Sequence, residues 1–530
     1  MNKKLLFSIL LIGFLIRLII SFSIEYSITH GISSDDSYYY FRIAQNIANG
    51  FGSTFDQIHK TNGYQPLVLW FLVFIYSIFK FDILIPVVIS QILLSIISTM
   101  AAYLTYGFVK KISDNEFAGI LSVVFLYLNP VIIAINFKSL ETNFYWLFLI
   151  ISVIYFEKFL RHQQTERKYS KYFVLGLIIS FSAFSRLDGG FLIIAFTICL
   201  LFMKEVEFIE RLKKILATGI GFSILFVPYL VYNYLYFGHF VPISGRAKVF
   251  HNHKQVLSQV GNYFSFDFFL YELRRFFFPF NFDLFANRGF GLFEQIAVYF
   301  VIFVIVVLII LFLKSGYLKK VLNNFKGYSF ILIFLLFHYS FYTLYFWEYR
   351  FYYFLPEMIF LSILFSMIIV EWIKDKFSNK ESFVNQTVLI LVILVFVIGG
   401  IKIFTAQHEQ TLAFKTAHWI KTNIPNDKIL GSANTGILSY FTQMRFVNLD
   451  GMVNNDELLN AYKEGNEKYV EYLKKNRIEY LVDYFLSDKP ENKYYFPELL
   501  NDKYEVVKVF TDKRLKYQKL NHMLVIKLKL

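Results

Sequence analysis

The stretch LLFSILLIGFLIRLIISFSI, residues 5–24, decides the fold class. It is apolar almost throughout. As a helix it is long enough to cross a hydrocarbon core about 30 Å thick. It follows Lys3 and Lys4, is long, and lacks a small-residue cleavage site, so it reads as a retained first span and not as a secretory signal. Apolar runs recur at 83–109, 117–136, 144–160, 172–184, 189–203, 214–237, 293–313, 328–346, 351–371 and 387–404; the pair 172–184 and 189–203 is short, and the polar turn between them is expected below the lipid surface inside the bundle. The runs are continuous and rich in Leu, Ile and Phe. Continuous runs predict helices, which satisfy their own backbone groups in lipid. The expectation is a polytopic α-helical membrane protein of about eleven spans. The whole chain agrees, with 530 residues, 56% of them hydrophobic, and a mean hydropathy of +0.48.

The charge pattern orients these spans. The net charge is +14, and much of the Lys and Arg lies in short connections at 110–111, 158–171, 204–214, 314–326 and 374–380. The excess of cations reads as a cytoplasmic orientation signal, not as a nucleic-acid surface. The outer segments are then 25–65, 137–143, 185–190, 238–292, 347–350 and everything after about Thr405. The N-terminus is expected in the cytoplasm of a plasma (inner) membrane protein. Residues 66–80 are apolar but short, and counting them as a span would invert every later basic loop. They are therefore expected to be partly embedded, roofing a site. Beyond Thr405 short apolar runs alternate with charge. Strands are predicted at 428–432, 445–449, 478–484, 506–510 and 523–528, with helices at 456–464 and 467–475. This predicts a transmembrane domain over 1–404 and a small extracytoplasmic α/β domain over 405–530.

Cys199 is the one cysteine, so no intramolecular disulfide forms. No P-loop, GxGxxG or paired CxxC is present, which argues against ATP-driven transport. The polar residues instead gather in the outer segments. The first of these reads SSDDSYYYFRIA from Ser33, then TNGYQP from Thr61. Ser34 or Asp35 suits the N-cap of a helix running to about Ala48. The pair Asp35–Asp36 reads either as helix-start acids or as a general base or metal ligand. Tyr39, His59, Lys60, Asn62, Tyr64 and Gln65 give the same loop a polar lining suited to substrate. Glu141 sits in a very short second loop. Arg186 and Asp188 lie at a depth where each charge costs roughly 2.5–3.5 kcal/mol unless paired or wet. They read as a local ion pair or as a cavity wall. Arg246 and Lys248 follow a Gly-Pro turn, and snorkelling is the plainer account of them. Arg350 ends a span where its fork suits a phosphate. Acids and cations at one face above an apolar bundle suit an amphiphilic substrate.

At these residues the chain resembles the GT-C superfamily of membrane glycosyltransferases. The likeness is to bacterial arabinofuranosyl- and mannosyltransferase-like members. It rests on Asp35 to Tyr40, Thr61 to Leu67, Leu140-Glu141-Thr142, Arg186 to Gly189, Asn233 to Lys248 and Arg350 to Tyr352, in that order, over about residues 1–360. The resemblance implies a polyprenyl-phosphate sugar donor and a glycan or glycolipid acceptor at the outer face. Transfer would be inverting, with Asp35, or second to it Asp36, as general base. Glu141 matches the second-loop acid, and Arg350 with Lys248 the cations on the lipid phosphate. No cofactor is certain. The resemblance leaves a divalent metal (Mg2+ or Mn2+) open, with Asp35, Asp36 or Glu141 as its ligands. The second loop carries one acid and not a pair, so transfer to protein or to lipid A is not indicated. The competing readings are a flippase for lipid-linked sugars and a non-catalytic envelope scaffold.

Overall fold

Among the described residues the apolar runs form helices that pack into one bundle. The computed structural model describes residues 2–160, 168–204, 206–263, 266, 268–269, 316–325, 327–348, 350–515 and 521–530. The predicted span 293–313, and most of the loop 238–292 past Tyr263, lie outside the described residues. Among the described residues six helical stretches are long and apolar enough to cross a membrane: Lys3–Phe22, Ile85–Ser113, Phe208–Phe237, Ser329–Phe346, Phe351–Lys376 and Ser378–Asn423. A seventh is counted if Glu116–Leu128 and Pro130–Lys138, bent by 51°, form one span. The chain is a multi-pass membrane protein. The predicted spans 172–184 and 189–203 are the shorter apolar helices Tyr169–Ser185 and Leu187–Leu201. The predicted span 144–160 falls in the helix Glu141–Phe159, which carries Glu141, Glu157 and Lys158.

The bend has a local cause that also accommodates a buried cation. Pro130 has no N–H, and the Val131 N–H donates to the Asn129 side chain at 2.9 Å. The Tyr127 carbonyl thereby loses its usual helical donor. Arg17, fully buried in the first span, donates to that carbonyl and to the Gly13 carbonyl, each at 3.0 Å. Its guanidinium also lies 3.9 Å from the centre of the Tyr127 ring. Two carbonyls and a π face hold the charge where a bare one is costly.

At one end of the bundle the basic connections meet acids. Lys110 pairs with Glu116 at 3.0 Å, Lys111 with Glu157 at 3.1 Å, and Lys320 with Glu371. Glu157 lies near the C-terminal end of the helix Glu141–Phe159 and Glu141 begins it. Glu141 therefore sits at the opposite end, where the predicted outer segments gather.

The first-loop helix runs Asp35–Ala48. Ser34 does not cap it through its side chain, because its hydroxyl donates to the Lys138 carbonyl at 2.7 Å. The next helix, Pro66–Ile78, starts with proline in its first turn, where the missing N–H costs nothing. Val68, Leu69, Leu72, Ile75 and Tyr76 are buried on one side, while Trp70, Phe74 and Ile78 are exposed at helical spacing. An uncovered apolar stripe on a 13-residue helix suits partial embedding in lipid.

The C-terminal region forms a five-stranded sheet of β1 (Ile429–Ser432), β2 (Arg445–Asn448), β3 (Ile478–Phe485), β4 (Tyr504–Thr511) and β5 (His522–Leu528), in the order β2-β1-β3-β5-β4. β1 runs parallel to β2 and β3, and β5 antiparallel to β3 and β4. Helices Asp456–Glu464 and Asn466–Lys475 make the crossover to β3. Two helices are additional to those predicted, Gln410–Asn423 and Gly436–Thr442. One apolar core joins Tyr38 and Phe41 of the first-loop helix and Leu69 of the helix Pro66–Ile78 to Tyr440, Phe446 and Val525 of the C-terminal region. The contact is close: a Cβ on Gly63 would stand 1.9 Å from the Met452 carbonyl oxygen, and one on Gly436 2.1 Å from that of Asp35. Only glycine permits this approach.

Candidate active site

A cavity of about 1340 Å³ lies where the bundle meets the C-terminal region. Ten of the residues expected in a site line it: Asp36, Tyr39, Tyr64, Gln65, Glu141, Arg186, Asp188, Arg246, Lys248 and Arg350. They come from the first loop, the start of the helix Glu141–Phe159, the turn Leu187–Gly190, the helix Ile243–Val260, and the segment between two spans around Arg350. No residue of 66–80 lines it. The expected roof over the cavity is supplied instead by Asn434, Asp450, Met452, Lys493 and Tyr494 of the C-terminal region. The helix Pro66–Ile78 is held away because it packs beneath the first-loop helix.

Four expected site residues lie elsewhere, each held by another contact. Asp35 accepts the backbone N–H groups of Gly436 and Ile437 at 3.0 and 2.7 Å. It thus caps a helix of the C-terminal region and not its own. His59 is buried against Asp56 at 2.7 Å and Asn476 at 2.9 Å. Asn62 accepts from the Ile243 N–H at 2.9 Å and donates to Asn233 at 3.2 Å. Lys60 is exposed, on a short bridge to Thr54.

The two acid–cation sets in the cavity differ in exposure. Deep in the wall, Arg186 donates to Asp188 at 2.7 Å and to the Tyr342 hydroxyl at 3.0 Å, with Glu141 at 3.7 Å. The Tyr342 hydroxyl donates in turn to Asp188. His338 stands 3.4 Å from Asp188 and 2.8 Å from Glu357. The Arg186 and Asp188 side chains are 2% and 4% exposed, so this network is closed on itself. Nearer the opening, Arg350 and Asp36 are 55% and 46% exposed and only 3.5 Å apart. Arg350 also meets the Tyr352 hydroxyl at 3.0 Å. Lys248 contacts Glu348 at 2.8 Å and the Tyr353 hydroxyl at 3.0 Å. Arg246 is held by Asp456, its second nitrogen at 3.1 Å. Of these acid–cation sets, Asp36 and Arg350 form the one most open to a ligand.

Known proteins share this architecture. Residues 63–232 match the family described as dolichyl-phosphate-mannose-protein mannosyltransferase. The oligosaccharyltransferase of Archaeoglobus fulgidus in its apo form is similar at a TM-score of 0.54 and 14% identity, over 90% of this chain and 69% of that one. The fold is that of the GT-C membrane glycosyltransferases. The same archaeal protein in complex with zinc and sulfate is similar at 0.52 and 14%, over 89% of this chain and 68% of that one. Tethered to an acceptor peptide, it is similar at 0.50 and 13%, over 90% and 69%. Residues 401–524 match a domain of unknown function, DUF8728. No curated protein matches the chain.

Within this GT-C fold the expected metal ligands are dispersed. Asp35 is occupied by two amides, Asp36 faces Arg350, and Glu141 faces Arg186. Among the described residues no three His, Cys, Asp or Glu side chains converge. In this arrangement their oxygens turn to backbone amides and guanidinium groups and not to a common point.

Asp450, not expected from sequence, is the acid that the C-terminal region brings to the cavity. Burial, with the charge of Asp36 added, pushes its carboxyl up to about 7. Burial pushes Asp35 up to about 7 as well, against the lowering effect of its two amide bonds. Both folded values exceed the ordinary 3.8. The folded chain therefore holds extra protons between those limits, and stability falls as pH rises through that window. Melting of the purified protein, followed from pH 4.5 to 7.5, is expected to shift to lower temperature with rising pH. Asp450→Asn is expected to flatten the slope, and an unchanged slope in that variant would contradict the assignment.

Proposed function

We propose that the chain transfers a hexosyl or pentosyl unit from a polyprenyl-phosphate donor to an acceptor hydroxyl of an envelope glycan or glycolipid. The observation that carries this reading is the exposed Asp36–Arg350 pair in a large cavity between membrane helices and a polar roof. The match of residues 63–232 to a dolichyl-phosphate-mannose-dependent family supports the donor class. The reaction would take place at the outer face, with the N-terminus in the cytoplasm, as the basic connections at the opposite end suggest.

The base in this reading is Asp36 and not Asp35, whose carboxylate is committed to Gly436 and Ile437. Asp36 takes the proton of the acceptor hydroxyl. The hydroxyl oxygen attacks the anomeric carbon from the face opposite the phosphate, and the bond from that carbon to the phosphate oxygen breaks. The configuration inverts. The electron pair leaves with the phosphate, whose charge Arg350 meets with its planar fork. Lys248, already beside Glu348, adds a second cation. The donor phosphate would draw Arg350 from Asp36 and so free the base.

Incubating the purified chain with a panel of radiolabelled polyprenyl-phosphate sugars and envelope glycolipids tests the proposal. Turnover of at least one donor is expected. Arg350→Ala is expected to raise the donor KM at least tenfold, about 1.4 kcal/mol of lost phosphate binding. Turnover of no donor by the wild-type chain would overturn the reading.

A further inference from the structure

The residues that roof the cavity occupy one particular edge of the sheet. Asn434 lies just past the end of β1, and Asp450 and Met452 just past the end of β2. β1 and β2 are parallel, so both strands present their carboxyl ends to the cavity. In open α/β sheets that edge is where ligands bind, because the loops there diverge and leave a crevice.

The chemistry at that edge is specific. Asp450 keeps one carboxylate oxygen on the Met452 N–H at 2.8 Å, which fixes the direction of the group. His251, from the helix Ile243–Val260, bonds the Asp450 backbone carbonyl at 3.1 Å. It also holds the ring of Tyr494, 4.8 Å away. Tyr494 is 40% exposed and lines the cavity, so part of its ring is open to a ligand. Asn434 donates its amide to Asp483 at 2.9 Å, which leaves its carbonyl oxygen as an acceptor. A fixed carboxylate, an amide oxygen and an open ring suit a ligand that has several hydroxyls and an apolar C–H face.

We infer that the carboxyl edge of β1 and β2 is a binding subsite for the sugar ring of the acceptor, with Asp450 on its hydroxyls and Tyr494 under its face. The inference rests on the transferase reading and adds the acceptor side to it. Donor and acceptor would then enter from different parts of the protein, the donor phosphate at Arg350 and the acceptor ring at Asp450, with Asp36 between.

Two measurements on the full-length purified chain test this. The first is binding to an array of mannose-, arabinose- and N-acetylglucosamine-terminated oligosaccharides, which needs no turnover. Wild-type binding to at least one glycan is expected, weakened tenfold or more in Asp450→Asn and in Tyr494→Ala. The second is steady-state kinetics. Both variants are expected to raise the acceptor KM tenfold or more, and the donor KM less than twofold. No glycan bound by the wild-type chain, or equal binding by wild type and both variants, would overturn the subsite. So would an unchanged acceptor KM in both variants. Failure of the transferase reading appears differently, as the absence of turnover in the wild-type chain whatever its glycan binding.

Discussion

Replacing Asp36 with Asn is expected to lower sugar transfer by about 10²–10⁴-fold, the range general-base catalysis supplies. The substitution keeps the size of the side chain and removes its charge and its basicity. Asp36 is nearly half exposed, and its one cation, Arg350, is also exposed. Its loss therefore strands no buried charge, and the melting temperature is expected to stay within a degree or two of wild type. Asp35→Asn is the informative control. The Asp35 carboxylate satisfies two N–H groups at the start of the helix Gly436–Thr442. An amide offers one oxygen in place of two, so this variant should lose stability before it loses chemistry. Loss of a cap costs about 0.5–2 kcal/mol. Rate assays on folded, purified protein separate the two cases. If Asp36→Asn transferred sugar at the wild-type rate while Asp35→Asn did not, the assignment of the base would have to be reversed.

Replacing Arg186 with Met is expected to destabilise the protein by about 3–5 kcal/mol, the cost of leaving a buried partner charge uncompensated. The cause is the near-complete burial of both side chains, 2% and 4% exposed. Without Arg186, Asp188 keeps the Tyr342 hydroxyl and His338 at 3.4 Å, while Glu141 loses the cation 3.7 Å away. Met replaces the aliphatic stem but none of the guanidinium donors, so packing is largely kept and charge is not. Pairing Arg186→Met with Asp188→Asn should recover part of the loss by removing the stranded charge. The comparison is made by thermal melting in detergent. A single variant that melted with the wild type would mean that Arg186 serves the ligand and not the bundle.

The Arg186–Asp188 case shows how far sequence reasoning reached at this site. The depth of the two charges was legible, since they lie in a short turn between two apolar runs. Their mutual pairing was one of two readings, and the structure supplies both at once, an ion pair that is also a cavity wall. Asp35 and Asp36 were less separable. Neighbours in a helix point in different directions, and here Asp36 lines the cavity while Asp35 turns to the Gly436 and Ile437 amides. Which one lines the cavity depends on where the Gly436 helix docks. Asp450 had a signal available: an Asp-Gly pair directly after a predicted strand marks a strand's carboxyl end. Without the strand order, nothing says that this end faces the membrane bundle.

The sequence by itself determined the class of protein, because apolar length and continuity are local properties that lipid reads directly. It also determined the strands and two of the helices of the C-terminal region, where period and turn residues act within a few positions. The short helix 66–78 was legible for the same reason, as a run too brief to span. The tertiary structure decided the roof of the cavity, the role of Asp35 as a cap, and the commitment of His59 and Asn62 to structural contacts. Each of these depends on residues far apart in the chain, such as Asp35 with Gly436 or His59 with Asn476. No local pattern encodes which distant surface a polar side chain will meet.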